Sequence, residues 1–336
     1  MKYKKKNNPT KTIRTNKNRL IVYLLILVLV PSVLYFRVVN FQSSGFDDVI
    51  IITNINNIQG SPLNLKEAFT HDAFMGNKGD TFYRPIQTIS LMLDAQVDGK
   101  EPWIYHLSNL ILHILTVIAL FFFLKKTGVN EEISFLLALF FSIHPLLTNA
   151  VAWIPARGDI LLCLFSLLSI ITFLEYLNSG KTIYIILNAF TFLLALFSKE
   201  TAVLLPVLFL SYVYFVKKKK FLLNDIITFL TVWFFSFILF FILRQSIIKL
   251  SQSSNIFGFI PFSKNLPAIP ILFYKFFFPY NLCTMPIFDN STIIIGIVLL
   301  LVFVSITFIV LRGEIRNVIW GEYGLWHLQS PRCSSG

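Results

Sequence analysis

The residues of this 336-residue chain best suited to chemistry are two adjacent carboxylates, Asp47 and Asp48, about ten residues beyond a long apolar run. Neighbouring carboxylates near a membrane surface repel and perturb each other's titration, which suits a general base or a metal-and-base pair. Read plainly, the same pair is a solvated turn or a helix cap. A second set is His106, Asn109 and His113, spaced so that one helix would carry all three on one face. At membrane depth such a stripe must face the bundle or a wet cavity, where it serves a site or bonds between helices. Two imidazoles at that spacing stand about 10 Å apart along the axis, too far to share a metal ion by themselves.

Three further sets follow. His144-Pro145, Asn149, Trp153, Arg157 and Asp159 mark a segment broken by Pro145 and Pro155. Charges there are costly against lipid, so the segment either caps a cavity or holds a self-satisfied Arg157–Asp159 pair. Ser198-Lys199-Glu200-Thr201 places a Lys–Glu pair in a very short hairpin, which needs no charges merely to turn. Tyr83-Arg84-Pro85 offers a planar fork of donors that fits phosphate oxygens above an apolar bundle, or lipid headgroups.

The elements that must position these groups are membrane helices. Hydrophobic residues make up 55% of the chain and charged ones 14%, with 36 Phe mostly in long apolar runs. Soluble domains carry about 25% charged residues, so the composition excludes an ordinary soluble domain. The net charge of +12 gathers in short clusters beside apolar stretches, a topology signal and not a nucleic-acid surface. Cys163, Cys283 and Cys333 are widely spaced and form no CxxC or Cys/His cluster. Apolar runs at 20–36, 107–124, 133–150, 160–177, 183–198, 201–216, 222–243 and 292–311 predict an all-α polytopic bundle of about eight spans. A Pro-interrupted aromatic stretch at 268–280 reads as interfacial or re-entrant.

Residues 1–19 carry eight Lys or Arg and no acid, and read as a basic cytoplasmic tail before an uncleaved anchor. With the N-terminus inside, alternation puts Lys125–Lys126, Lys181, Lys217 to Lys220, Arg312 and Arg316 on the cytoplasmic side, as the positive-inside rule asks. The polar sets above then share the opposite face. The membrane domain spans 20–311 and includes an outer loop, 37–105, too long for a simple connector. That loop reads as a small extracytoplasmic subdomain. It should hold a capped short helix at Asn64 to Glu67, a turn at Gly76, Gly79 and Asp80, and an amphipathic helix from Pro85 to Leu93 along the membrane surface. Residues 312–336 read as a cytoplasmic or truncated tail.

In order along the chain stand Asp47-Asp48, Tyr83-Arg84-Pro85-Ile86, Asp94 with Gly99, His106-Leu-Ser-Asn109-Leu-Ile-Leu-His113, His144-Pro145 with Ala150-Val-Ala-Trp153, Arg157-Gly-Asp159, and Ser198-Lys199-Glu200. This series resembles the membrane-embedded GT-C glycosyltransferases, closest to the transmembrane and tetratricopeptide-repeat O-mannosyltransferases and their bacterial relatives. The resemblance covers about residues 20–245 and extends toward 311. The repeats that follow the membrane domain in that family do not follow here, and 321–336 reads neither as a span nor as a repeat.

The resemblance implies transfer of a sugar, mannose by analogy, from a polyprenyl-phosphate carrier to a protein or glycolipid acceptor on the extracytoplasmic face of a bacterial inner membrane. It places the catalytic carboxylate in the Asp47-Asp48 pair. The residues fit the needs of that chemistry: a base for the acceptor hydroxyl, cations for the departing phosphate, and apolar surface for the lipid. Asp47 is the expected base, with Asp48 supporting it or touching a divalent ion, Mg2+ or Mn2+, although the pattern alone does not separate the two. Arg84, Arg157 and Lys199 are the expected phosphate cradle. Tyr83, His106, Asn109, His113, His144, Asp159 and Glu200 are expected to position substrate. The alternatives are a noncatalytic membrane scaffold, and a flippase or transporter, whose charges would collect at the midplane instead.

Overall fold

The computed structural model describes residues 17–45, 47–58, 65–75, 82–99, 101–213, 223–248, 263, 265–280, 282 and 289–327, with side chains as far as 309. The chain divides into two units, Met1–Ser251 and Gln252–Gly336. Among the described residues every regular element is a helix, which makes the protein an all-α polytopic bundle. Phe46, the start of the expected capped helix at 61–64, the turn at Gly76, Gly79 and Asp80, the run Lys217 to Lys220, Cys283 and Cys333 lie outside the described residues.

The first unit opens with α1 (Lys17–Tyr35), which tightens into a 3-10 turn at Phe36–Asn40. Three helices then build the subdomain: α2 (Asp47–Ile58), α3 (Leu65–Thr70) and α4 (Pro85–Asp98). The bundle continues with α5 (Pro102–Lys126), α6 (Glu131–Ile143), α7 (Thr148–Ala152), α8 (Arg157–Ser179), α9 (Ile183–Ser198), α10 (Leu205–Tyr212) and α11 (Leu223–Ile247). Their starts and stops follow local chemistry. Pro85 and Pro102 sit in the first turns of α4 and α5, where a missing N–H costs nothing. Asn130 caps α6 by accepting from the Glu132 N–H. Gly180, at φ 68°, ends α8 in the left-handed conformation that glycine adopts freely.

Helices α8 and α9 form the most extensive pairing, and α5 packs between α8 and α6. Aromatic rings fill the core where α8, α9, α10 and α11 meet, including Phe173, Phe192, Phe209, Phe229 and Trp233. Within it, buried Asn188 donates to the Ser169 carbonyl at 2.8 Å and accepts from the Trp233 indole at 2.8 Å, fixing the register of three helices. A second core, of Ile51, Ile55, Leu91, Met92, Tyr105 and Ile154, joins the subdomain to the start of α5 and the turn before α8. The second unit comprises α12 (Ala268–Phe277) and α13 (Asn290–His327), which cross where Gly296 meets the Pro270 backbone.

The span count differs from the sequence expectation of about eight. Among the described residues five helices are long and apolar enough to cross a membrane, or six if α6 joined to the 145–152 segment counts as one. That pair bends by 51° at His144–Pro145, because proline cannot continue the ladder of hydrogen bonds. Helix α9 has 16 residues, about 24 Å of rise against a hydrocarbon core of about 30 Å. Helix α10 begins only after a 3-10 turn at Glu200–Leu204. Helix α13 continues beyond its apolar part, Asn290–Ile309, to His327 through a stretch without proline.

Candidate active site

Helix α2 sets the acidic pair. Asp48 shares its face with Ile51, Ile52 and Ile55, all buried against α4 and α5, so the carboxylate turns inward and is only 2% exposed. Its Oδ2 accepts from the Ser44 backbone N–H at 2.8 Å and the Ser44 hydroxyl at 2.7 Å, which ties the first turn to the loop before it. Its Oδ1 is buried and has no hydrogen-bond partner among the described residues. Asp47, one residue earlier and so about 100° round the helix, is half-buried and has no polar partner among the described residues.

His106 is the electrostatic neighbour of Asp48 and of Arg157. Its imidazole is 1% exposed, and neither ring nitrogen has a partner among the described residues. The ring of Phe41 stands edge-on to it at 6.4 Å. One and two turns further along α5, Asn109 and His113 are fully committed. Asn109 donates to the Val151 and Trp153 carbonyls and accepts from Arg157, and His113 bonds the Ser142 carbonyl at 3.1 Å.

Arg157 is the hub beneath these residues, with its side chain wholly buried at the start of α8. Its Nε donates to Asn109 Oδ1 at 2.6 Å, one terminal nitrogen to the Ser90 carbonyl at 3.1 Å, and the other to the Tyr105 carbonyl at 2.7 Å. Asp94 supplies the countercharge at 2.5 Å and accepts from Ser108 at 2.6 Å. The protein itself therefore fills the fork that the sequence reading reserved for phosphate. Gly158 follows because Gln87 presses close: a β-carbon there would stand 2.5 Å from Gln87 Oε1.

A second polar group forms a rim around the turn at 199–200. Arg84 donates through two nitrogens to Glu200, at 3.2 and 3.3 Å, and lies over the Phe82 ring. Lys199 pairs with Asp159. Burial alone would push the Glu200 carboxyl up, but the Arg84 hydrogen bonds and charge, with Lys199, hold it below its ordinary value. Tyr83 is buried under the rim, donates to the Phe69 carbonyl at 3.2 Å, and has its hydroxyl pushed up to about 12 by burial. Beside this turn an apolar groove of about 640 Å³ runs between α9–α10 and α11, lined by Phe192, Val203, Pro206, Leu230, Trp233 and Phe234.

The structure thus bonds Asn109 to Arg157 in one buried group, sets His106 one turn from Asn109 within the electrostatic reach of Asp48 and Arg157, and gathers Arg84, Asp159, Lys199 and Glu200 into a rim. His113 lies deeper, and His144 caps the turn after α6 by accepting from the Leu146 N–H. Neither pair suggested by adjacency forms. Arg157 takes Asp94 and not Asp159, and Lys199 takes Asp159 and not Glu200, because residues one or two apart on a turn do not face each other. Sequence reasoning gave Asp94 no role of its own and missed Ser90, Ser108 and Gln87. The signals for Asp94 were its place in the motif series with Gly99 and its place on the buried face of α4, three residues from Leu91. As for a divalent ion, no three His, Cys, Asp or Glu among the described residues stand close enough to form a ligand set. Asp48 offers one open oxygen, which is not a Mg2+ or Mn2+ site in itself.

Comparison with known proteins gives the arrangement a setting. Over 174 residues the chain is 32% identical to the protein O-mannosyl-transferase TMTC1 of Homo sapiens, an alignment of 47% of this chain and 20% of that protein. The chain is similar to the TMTC protein O-mannosyl-transferases. Tmtc1 of Drosophila melanogaster is 28% identical over 174 residues, 51% of this chain and 20% of that protein. TMTC2 of Mus musculus is 37% identical over 98 residues, 29% of this chain and 12% of that protein. The chain thus spans about a quarter or less of the TMTC relatives it matches. No family model matches it, and no solved structure does.

Proposed function

We propose that this chain is the membrane-embedded part of a glycosyltransferase. It moves a hexosyl group, mannose by its likeness to the TMTC proteins, from a polyprenyl-phosphate carrier to a hydroxyl of a protein or glycolipid. The observation that carries this reading is what collects around α4: carboxylates at the start of α2, a rim of two ion pairs, Arg84–Glu200 and Lys199–Asp159, and an apolar groove beside that rim.

Each part answers one need of the reaction. The groove suits a prenyl tail, since its walls are apolar and aromatic. Arg84 presents a planar fork that now holds a carboxylate and would hold a phosphate by the same geometry. Lys199, paired with Asp159, adds a second cation at the same rim, and released from their carboxylates the two would favour negative charge gathering on the departing phosphate. The Asp47-Asp48 pair supplies the carboxylate chemistry of the acceptor side. Arg157, with every guanidinium nitrogen engaged, serves to hold α4, α5 and α8 in register. No step is assigned to a divalent ion. With the basic flanks inside, the N-terminus is cytoplasmic and the α2–α4 end faces out of a bacterial inner membrane.

The test supplies membranes containing the full chain with radiolabelled polyprenyl-phosphate mannose. Label should pass to protein or lipid only when the chain is present. Absence of chain-dependent transfer with any polyprenyl-phosphate sugar would contradict the reading.

A further inference from the structure

We infer that Glu200 is an exchangeable stand-in for the carrier phosphate: its carboxylate holds the Arg84 fork while the site is empty and gives way when a prenyl phosphate binds, so that Glu200 sets how tightly the carrier is held. The inference rests on the transferase reading and deepens it, giving Glu200 a competing role at the rim.

One partner of this ion pair is fixed. Arg84 stands immediately before α4, where Pro85 opens the helix and the Arg84 carbonyl accepts from the Thr88 N–H at 3.0 Å and the Thr88 hydroxyl at 3.2 Å. Its guanidinium lies over the Phe82 ring at 4.4 Å, and the side chain is 14% exposed. The neighbouring Tyr83 is buried with its ring against Phe197 and Phe240. Both the backbone and the fork of Arg84 are therefore held from sides that Glu200 does not supply.

The other partner is free to leave. The Glu200 side chain is 38% exposed at the start of the 3-10 turn Glu200–Leu204. Among the described residues, the side-chain hydrogen bonds of its carboxylate are the two from Arg84, at 3.2 and 3.3 Å. Both are longer than the roughly 2.7–2.9 Å of a well-formed charge-assisted bond. A pair this open to water adds little to stability, so a stronger anion can take the place of the carboxylate. The departing carrier is such an anion, since a phosphate monoester carries more charge than a carboxylate and three acceptor oxygens.

The position of Glu200 also leads to the groove. Residues three apart on a 3-10 turn eclipse each other, so Glu200 stands over Val203, which lines the groove. Ala202, between them in sequence, is buried and pins the turn to the core. An anionic head at Arg84 and an apolar tail at Val203 would thus follow one edge of one turn, the form of a prenyl chain ending in phosphate. The exchange has a use. Cations that hold the departing phosphate well would also hold it after transfer, and a carboxylate returning to Arg84 favours its release.

The test measures binding of radiolabelled farnesyl phosphate, with farnesol as the uncharged control, to the full chain in phosphatidylcholine nanodiscs. Wild type, Glu200→Asp, Glu200→Gln and Arg84→Gln are compared. If Glu200 holds the fork about nine-tenths of the time, Glu200→Gln should bind farnesyl phosphate about tenfold more tightly than wild type. Glu200→Asp should stay nearer to wild type, Arg84→Gln should bind more weakly, and farnesol should bind all four alike. In wild type itself, the 13C-labelled carboxyl signal of Glu200, assigned by its loss in Glu200→Gln, should move when farnesyl phosphate is added and stay in place with farnesol. Binding by Glu200→Gln no tighter than by wild type would overturn the exchange, and so would a Glu200 signal that bound farnesyl phosphate leaves unmoved. Phosphatidic acid that displaces farnesyl phosphate at equal concentration would make the rim a lipid-headgroup site and overturn its assignment to the carrier. Binding requires no transfer, so the two readings separate: exchange without sugar transfer strikes at the transferase reading, and transfer without exchange strikes at the role of Glu200 alone.

Discussion

The guanidinium of Arg157 and the carboxylate of Asp94 stand 2.5 Å apart, the arginine wholly buried and the aspartate nearly so. Such a pair binds together the two helices that carry it, α8 and α4, and with Asn109 it reaches α5. Removing one partner strands the other in a place without water, which costs about 3–5 kcal/mol. Arg157→Met should therefore melt far below wild type in detergent, and Arg157→Lys should also lose stability, since one ammonium cannot reach Asn109, Ser90 and Tyr105 together. Joining Asp94→Leu to Arg157→Met should recover part of the loss. Equal melting of Arg157→Met and wild type would contradict the hub.

The Arg84–Glu200 pair predicts a pH dependence of defined sign. The Glu200 carboxyl is held below its ordinary value. A carboxyl depressed in the folded state contributes its full stability above the ordinary value and loses it as pH falls through the depressed one. Melting curves of wild type and Glu200→Gln should therefore differ above the ordinary glutamate value of about 4.3 and converge only as the pH falls well below it. A gap that stays constant over that range would contradict the pairing.

Parts of this architecture were legible from residue types and spacing. The stripe of His106, Asn109 and His113 is buried as helical spacing requires, and α4 begins at Pro85 as its pattern suggested. Hydropathy revealed the apolar runs but gave more spans than the described residues hold, because a window of apolar residues does not register the bend at His144–Pro145 or the shortness of α9. The partners were least legible. Whether Asp47 or Asp48 turns inward depends on which face of α2 meets α4 and α5. Asp94 finds Arg157, and Glu200 finds Arg84, only through packing between segments distant in the chain.

Gly158 tests how closely α4 is docked. Its missing side chain makes room for Gln87, itself buried and donating to the Pro155 carbonyl at 3.0 Å. Gly158→Ala should cost about 1–3 kcal/mol by overpacking, and Gln87→Ala should relieve most of it in the double variant. A neutral Gly158→Ala, measured by thermal melting, would show that the contact yields freely.

The groove predicts a dependence on carrier length. Val203 lines it and is partly exposed, so Val203→Trp should narrow it without disturbing the buried cluster. Donors with long prenyl tails should then show a raised KM, and donors with one or two prenyl units a KM near that of wild type. Equal effects on both would place the tail elsewhere.

The central claim is that sugar transfer occurs at the acidic start of α2. Its most direct test is transfer of label from polyprenyl-phosphate mannose by wild type and by the double variant Asp47→Asn/Asp48→Asn, at matched amounts in the membrane. The account predicts chain-dependent transfer by wild type and a fall of about 10²-fold or more in the double variant, with unchanged melting. Transfer by the double variant at the wild-type rate would contradict it.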